Sequence, residues 1–116
     1  MSERLNPIKV RFWQSANGRE PVRDFLRGLS KPDRLRLGED ISRLQFGWPI
    51  GMPLVRNMGS GLWELRSSLP GRKEVRILFA AADGVLVLLN VFVKKSQKTP
   101  AAEIDLARDR MKELLS

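Results

Sequence analysis

The sequence predicts an α+β fold: a strand, two helices, an antiparallel meander and a closing helix, with the helices packed on one face of the sheet. Three observations carry this. Apolar residues recur with helical period over 22–29 and again over 37–44. Asp83-Gly84 sits between two apolar runs, a strong short-range hairpin signal. Thr99-Pro100 opens a further amphipathic stripe that runs to Leu114.

Each element follows from its residues. Ile8-Lys9-Val10-Arg11-Phe12-Trp13 alternates apolar and basic, placing Ile8, Val10 and Phe12 on one face of a strand. Asn17-Gly18 breaks the chain. Val22, Phe25, Leu26 and Leu29 fall at i, i+3, i+4 and i+7, one face of a helix. Ser30 suits an N-cap and Pro32 the first turn of the next helix, which buries Leu37, Ile41 and Leu44 and stops at Gly47-Trp48-Pro49. Residues 49–61 read as an irregular connection with a short strand near Leu54-Val55-Arg56. Leu62 to Ser68 is a strand, Pro70-Gly71 a turn, and Lys73 to Ala80 the next strand. Val85 to Lys95 is the most apolar strand, suited to a central place. Thr99 caps the last helix, whose buried stripe is Ile104, Ala107, Met111 and Leu114.

Composition narrows the chemistry. With 116 residues the chain is the length of one domain, 1–116, and needs no disulfide or metal to fold. It holds no Cys, His or Tyr, which removes Cys nucleophiles, the usual zinc sites and Ser-His triads. Proton transfer then falls to Lys, Arg, a carboxylate, the substrate or water. The net charge of +8 points to a polyanion or an acidic partner. The surplus lies before residue 99, since 99–116 carries three Lys/Arg against four Asp/Glu. Residues 1–7 lack the apolar core of a signal peptide, and no apolar run approaches the ~18 residues of a membrane span. A cytoplasmic protein without membrane attachment is expected. Trp13, Trp48 and Trp63 read as core or rim residues. Gly59-Ser60-Gly61 is too short for a phosphate loop, and no carboxylate cluster suits a two-metal nuclease.

Alternation in the meander sorts its side chains. Trp63, Leu65, Val75, Ile77 and Phe79 take the core face, which leaves Glu64, Arg66, Glu74 and Arg76 on the other. If Leu89, Val91 and Val93 point inward, Asn90, Phe92 and Lys94 join the arginines. The loop beyond adds Lys95, Ser96, Gln97 and Lys98. Such a face suits RNA cleavage: an RNA 2′-hydroxyl attacks its own phosphate once aligned, and fixed guanidiniums stabilise the charge that develops. It equally suits plain cross-strand ion pairs on a solvated surface.

The runs Leu62-Trp63-Glu64-Leu65-Arg66, Val75-Arg76-Ile77-Leu78-Phe79 and Leu88 to Pro100 resemble the phage-derived HigB-like toxins of the RelE/ParE superfamily. Phe92-Val93-Lys94-Lys95-Ser96-Gln97-Lys98-Thr99-Pro100 is the most specific stretch, and Glu103-Ile104, Ala107 and Arg108 extend the likeness. The resemblance is firm over 61–110 and looser over 8–48. It implies a RelE-like fold with a curved antiparallel sheet. It also implies the toxin of a type II toxin–antitoxin system, acting as a metal-independent and cofactor-free mRNA interferase on the ribosome.

Carried onto this chain, the resemblance makes Arg66 and Arg76 the phosphate-contacting arginines. It puts Lys94, Lys95 and Lys98 in the basic stretch near the active site; with the face read above, the expected set is Lys95 as catalytic beside the arginines, and Phe92, Lys94, Lys98, Arg72 and Lys73 as RNA-binding. The implied partners are mRNA on the ribosome and a helix-turn-helix antitoxin, with operator DNA reached only through the antitoxin complex. Many relatives use a Tyr or His near the end of the last strand or the C-terminus. This chain has neither, so a lysine, Glu64 or Glu74 must move the proton. Two other readings stand beside this one: a ParE-like inhibitor of DNA gyrase, and a non-catalytic antitoxin-binding module.

Overall fold

A computed structural model describes residues 5–95 and 97–114. Alternating Lys9–Phe12 forms strand β1. Pro21–Arg27 forms helix α1, and Gly28 closes it. Lys31–Gly47 forms α2, whose first turn is capped by the Ser30 hydroxyl accepting from the Asp33 N–H. Strands β2 (Val55–Gly59), β3 (Leu62–Leu69), β4 (Lys73–Ala82) and β5 (Val85–Lys94) follow, and Ala101–Leu114 forms α3. The β4–β5 turn is Asp83-Gly84, with both residues at positive φ, as expected of Asp-Gly.

The sheet order is β1-β5-β4-β3-β2. The meander is antiparallel, and β1 adds to β5 in parallel, which makes the sheet mixed. The α1–α2 hairpin covers one face. Val22, Leu37, Ile41 and Leu44 pack there on Leu65, Val75, Ile77 and Phe79, with Ile8, Val10 and Phe12 of the first strand region. Trp48 sets its ring edge-on to Trp63 at 5.0 Å and to Phe79 at 5.6 Å.

Three details depart from the sequence reading. The helices do not share a face, because β4 and β5 are apolar on both sides. Leu62, Leu78, Ala80, Val87, Leu89 and Phe92 form a second core, and α3 covers it through Ala107, Ile104, Met111 and Leu114. The strand alternation also breaks. Leu78 pairs with Asn90 but Phe79 pairs with Leu88, so a bulge leaves Leu89 unpaired. Leu88 thus joins the α1–α2 core and Leu89 the α3 core, rather than Leu89 sharing a face with Val91.

The start of α3 also differs. The Pro100 carbonyl accepts the first helical N–H groups, from Glu103 and Ile104. The Thr99 hydroxyl is engaged elsewhere, donating to the buried Glu64 carboxylate at 2.5 Å. No helix among the described residues is long and apolar enough to cross a membrane.

Candidate functional site

The bulge lies upstream of the basic face and leaves its register intact. Arg66, Arg76 and Phe92 align as one cross-strand rung. Ser68, Glu74 and Lys94 form the next rung outward, and Glu64, Leu78 and Asn90 the next inward. The inner rung is covered at the start of α3: Thr99 holds Glu64, and Asn90 donates to both the backbone carbonyl and the carboxylate of Glu103. The outer rungs lie past this cover.

A cavity of about 280 Å³ opens there, lined by Arg66, Ser68, Glu74 and Arg76 from the sheet and Arg36, Asp40 and Arg43 from α2. Its position follows from strand lengths. Pairing of β2 with β3 runs out at Val55–Leu65, with one further bond from the Arg66 N–H to the Leu54 carbonyl. Past that point α2 meets β3 directly: the Ser67 hydroxyl donates to Asp40 Oδ2 at 2.6 Å.

The arginines are held differently. Arg76 is 3% exposed, and its Nη1 donates to the Val75 carbonyl at 3.1 Å and to Glu74 at 3.3 Å. Arg66 is half-buried and contacts the Met52 sulfur at 3.6 Å. The buried Nε of each has no hydrogen-bond partner among the described residues. Glu74 is the cavity's acid–base candidate. The Ser68 hydroxyl, then Arg76 and Arg66, hold its carboxyl below the usual range, outweighing the opposing effect of burial. It is therefore ionised at neutral pH and able to accept a proton.

The structure brings together only part of the expected set. Arg66, Arg76 and Glu74 share the cavity, whereas Glu64 is buried one rung inward. Lys94 stands in register with Glu74 but outside the lining. Lys95 and Lys98 are exposed beyond β5, and Ser96 between them lies outside the described residues. Phe92 is 9% exposed and packed into the α3 core, so it offers little open ring for stacking. Arg72 sits exposed in the β3–β4 turn at positive φ, and Lys73 is ion-paired with Asp33 at the start of α2.

Arg36, Asp40 and Arg43 escaped the sequence reading. Their spacing of i, i+4 and i+7 puts all three on one side of α2. That pattern was visible, but it was overshadowed by the apolar stripe beside it. Among the described residues no cluster of three or more acidic or other metal-ligating side chains could hold a metal ion.

Four guanidiniums and two carboxylates around one cavity give its lining a surplus of positive charge on rigid elements. Residues 24–112 match the family of the phage-derived protein Gp49-like (DUF891). The chain belongs to this family. The match starts within α1 and ends within α3, so it spans every residue of the cavity. The Gp49-like family is phage-derived and toxin-like, and the α+β arrangement of this chain is consistent with a RelE-like fold. No curated protein matches the chain.

Proposed function

We propose that this Gp49-like protein is the toxin of a type II toxin–antitoxin system and cleaves mRNA on the ribosome without a metal ion. The observation that carries this reading is the Arg66–Arg76 pair, aligned across two strands and sharing a cavity with an ionised glutamate. The phosphate of a single-stranded RNA takes the guanidiniums as donors. Glu74 accepts the proton of the 2′-hydroxyl, which attacks the adjacent phosphorus. The bond to the 5′-oxygen breaks, leaving a 2′,3′-cyclic phosphate upstream and a 5′-hydroxyl downstream. Lys94, one rung outward and in register with Glu74, is the lysine nearest in register for protonating the leaving oxygen. Lys95 and Lys98 extend the basic surface toward flanking phosphates, as do Arg72 and Lys73.

In this reading the protein works in the cytoplasm and needs no cofactor. A helix-turn-helix antitoxin neutralises it by covering the basic face, and operator DNA is reached only through that complex. Removing one arginine donor should slow cleavage by about 10²–10³-fold, the effect of losing a single oxyanion donor. The test induces wild type and an Arg66→Ala, Arg76→Ala variant in cells and maps mRNA ends by primer extension. New ends with wild type alone support the reading. Growth arrest with a DNA-damage response and no new ends would replace it with gyrase inhibition. Abundant folded protein with no arrest would leave an antitoxin-binding module.

A further inference from the structure

The Arg66–Arg76 pair fills only the sheet side of the cavity. The α2 side presents a second guanidinium pair, with a built support beneath it. Asp40 is buried, and its two oxygens have separate tasks. Oδ2 accepts from Ser67, which fixes the carboxylate against β3. Oδ1 faces Arg43 at 3.2 Å and Arg36 at 3.6 Å. One buried carboxylate thus aims two arginines, one from the turn before it and one from the turn after it on the helix. Their side chains remain 42% and 56% exposed, for Arg36 and Arg43. A guanidinium carries five N–H donors, and these ion pairs use only some of them.

Charge and volume point the same way. The lining sets four guanidiniums against Asp40 and Glu74, a surplus of two positive charges, and exposed Glu39, 3.5 Å from Arg36, offsets one of them from outside the lining. Its volume equals the liquid share of about nine water molecules, more than one phosphate group needs.

We propose that Arg36 and Arg43 form a second phosphate subsite beside the Arg66–Arg76 pair, so that the cavity grips two consecutive phosphates of one RNA strand. The proposal rests on the reading of the cavity as an RNA phosphate site. Asp40 is then a positioning residue that acts through its two arginines. Gripping both phosphates fixes the intervening ribose, and with it the 2′-hydroxyl relative to the phosphorus it attacks.

The test is calorimetric titration at low ionic strength with adenosine 3′,5′-bisphosphate and with adenosine 5′-monophosphate. Wild type should bind the bisphosphate about tenfold more tightly, as a second charge-assisted contact implies. An Arg36→Gln, Arg43→Gln variant should still bind the monophosphate and should lose that preference. An Arg36→Lys, Arg43→Lys variant keeps both charges beside Asp40 and covers the case in which the glutamine variant fails to fold. It should lose about threefold or more of the preference, since lysine lacks the planar fork. A preference unchanged in the folded variants would overturn the second subsite while leaving the arginine pair on the sheet intact. Wild type that binds neither nucleotide would overturn both.

Discussion

Replacing Glu74 with Gln separates its two roles, as hydrogen-bond partner and as base. The amide oxygen of Gln can accept from Ser68 and from Arg76, now 3.3 Å from the carboxylate, so the rung should keep its geometry. The Glu74 side chain is 40% exposed but its partner Arg76 is buried, so losing the Glu74 charge leaves that guanidinium with a neutral acceptor in place of its counter-charge. Folding stability should therefore fall by about 1 kcal/mol, the low end for a buried donor whose partner is weakened, because the Gln oxygen still accepts from Arg76. Cleavage should not survive in the same way. A positioned base contributes about 10²–10⁴-fold, so Glu74→Gln should raise the barrier by at least about 2.7 kcal/mol. The assay is a translation extract programmed with a single mRNA, with the rate of new 5′ ends followed by primer extension. Thermal unfolding of the same preparations checks that the variant is folded. A folded Glu74→Gln protein that cuts at the wild-type rate would refute the assignment of Glu74 as the base.

Other consequences are structural. Thr99→Val removes the hydroxyl that satisfies buried Glu64 and should cost about 1–3 kcal/mol, read as a lower denaturant midpoint. Ala107→Leu forces three extra carbon atoms into the closed α3 core and should cost about 1–3 kcal/mol, with the loss of α3 helicity by hydrogen exchange as its signature. Gly84→Ala strains the β4–β5 turn at φ +74° and should destabilise by about 1 kcal/mol in thermal unfolding. Glu74 also predicts a pH effect. Its carboxyl is held below 4.5 in the fold, so its contribution to stability is complete above pH 4.5 and fades as pH falls through the lowered value. Melting temperatures of wild type and Glu74→Gln should therefore diverge at pH 7 and converge as the pH falls through the lowered value, with a small gap because the group is solvent-screened.

Much of the basic face could be read from alternation alone. Arg66 and Arg76 each follow an apolar neighbour in a hairpin closed by Pro70-Gly71, and strand period then places both on one face. The buried stripes of α2 and α3 were equally plain, because their apolar spacing is helical. What stayed hidden depended on long-range packing. Val85 to Val93 is apolar at every position but Asn90, so nothing local marks the bulge at Leu89. The same uniformity hid the second core, and with it the covering of Phe92 by α3. Alternation treats Glu64 and Glu74 alike. Only the position of Thr99 closes off the first and leaves the second in the cavity. The contribution of α2 depends on where β2 stops, since Asp40 meets Ser67 only where β3 emerges past its neighbour.

The most direct measurement is the chemistry of the ends that the protein makes. Purified wild-type protein is added to a translating extract, and the new mRNA fragments are isolated. Their ends are then tested for phosphorylation by a polynucleotide kinase and for a 2′,3′-cyclic phosphate. Attack by the 2′-hydroxyl with Arg66, Arg76 and Glu74 predicts downstream fragments with a free 5′-hydroxyl and upstream fragments with a cyclic phosphate. Downstream fragments carrying a 5′-phosphate, or no fragments from a folded and translation-blocking protein, would contradict it.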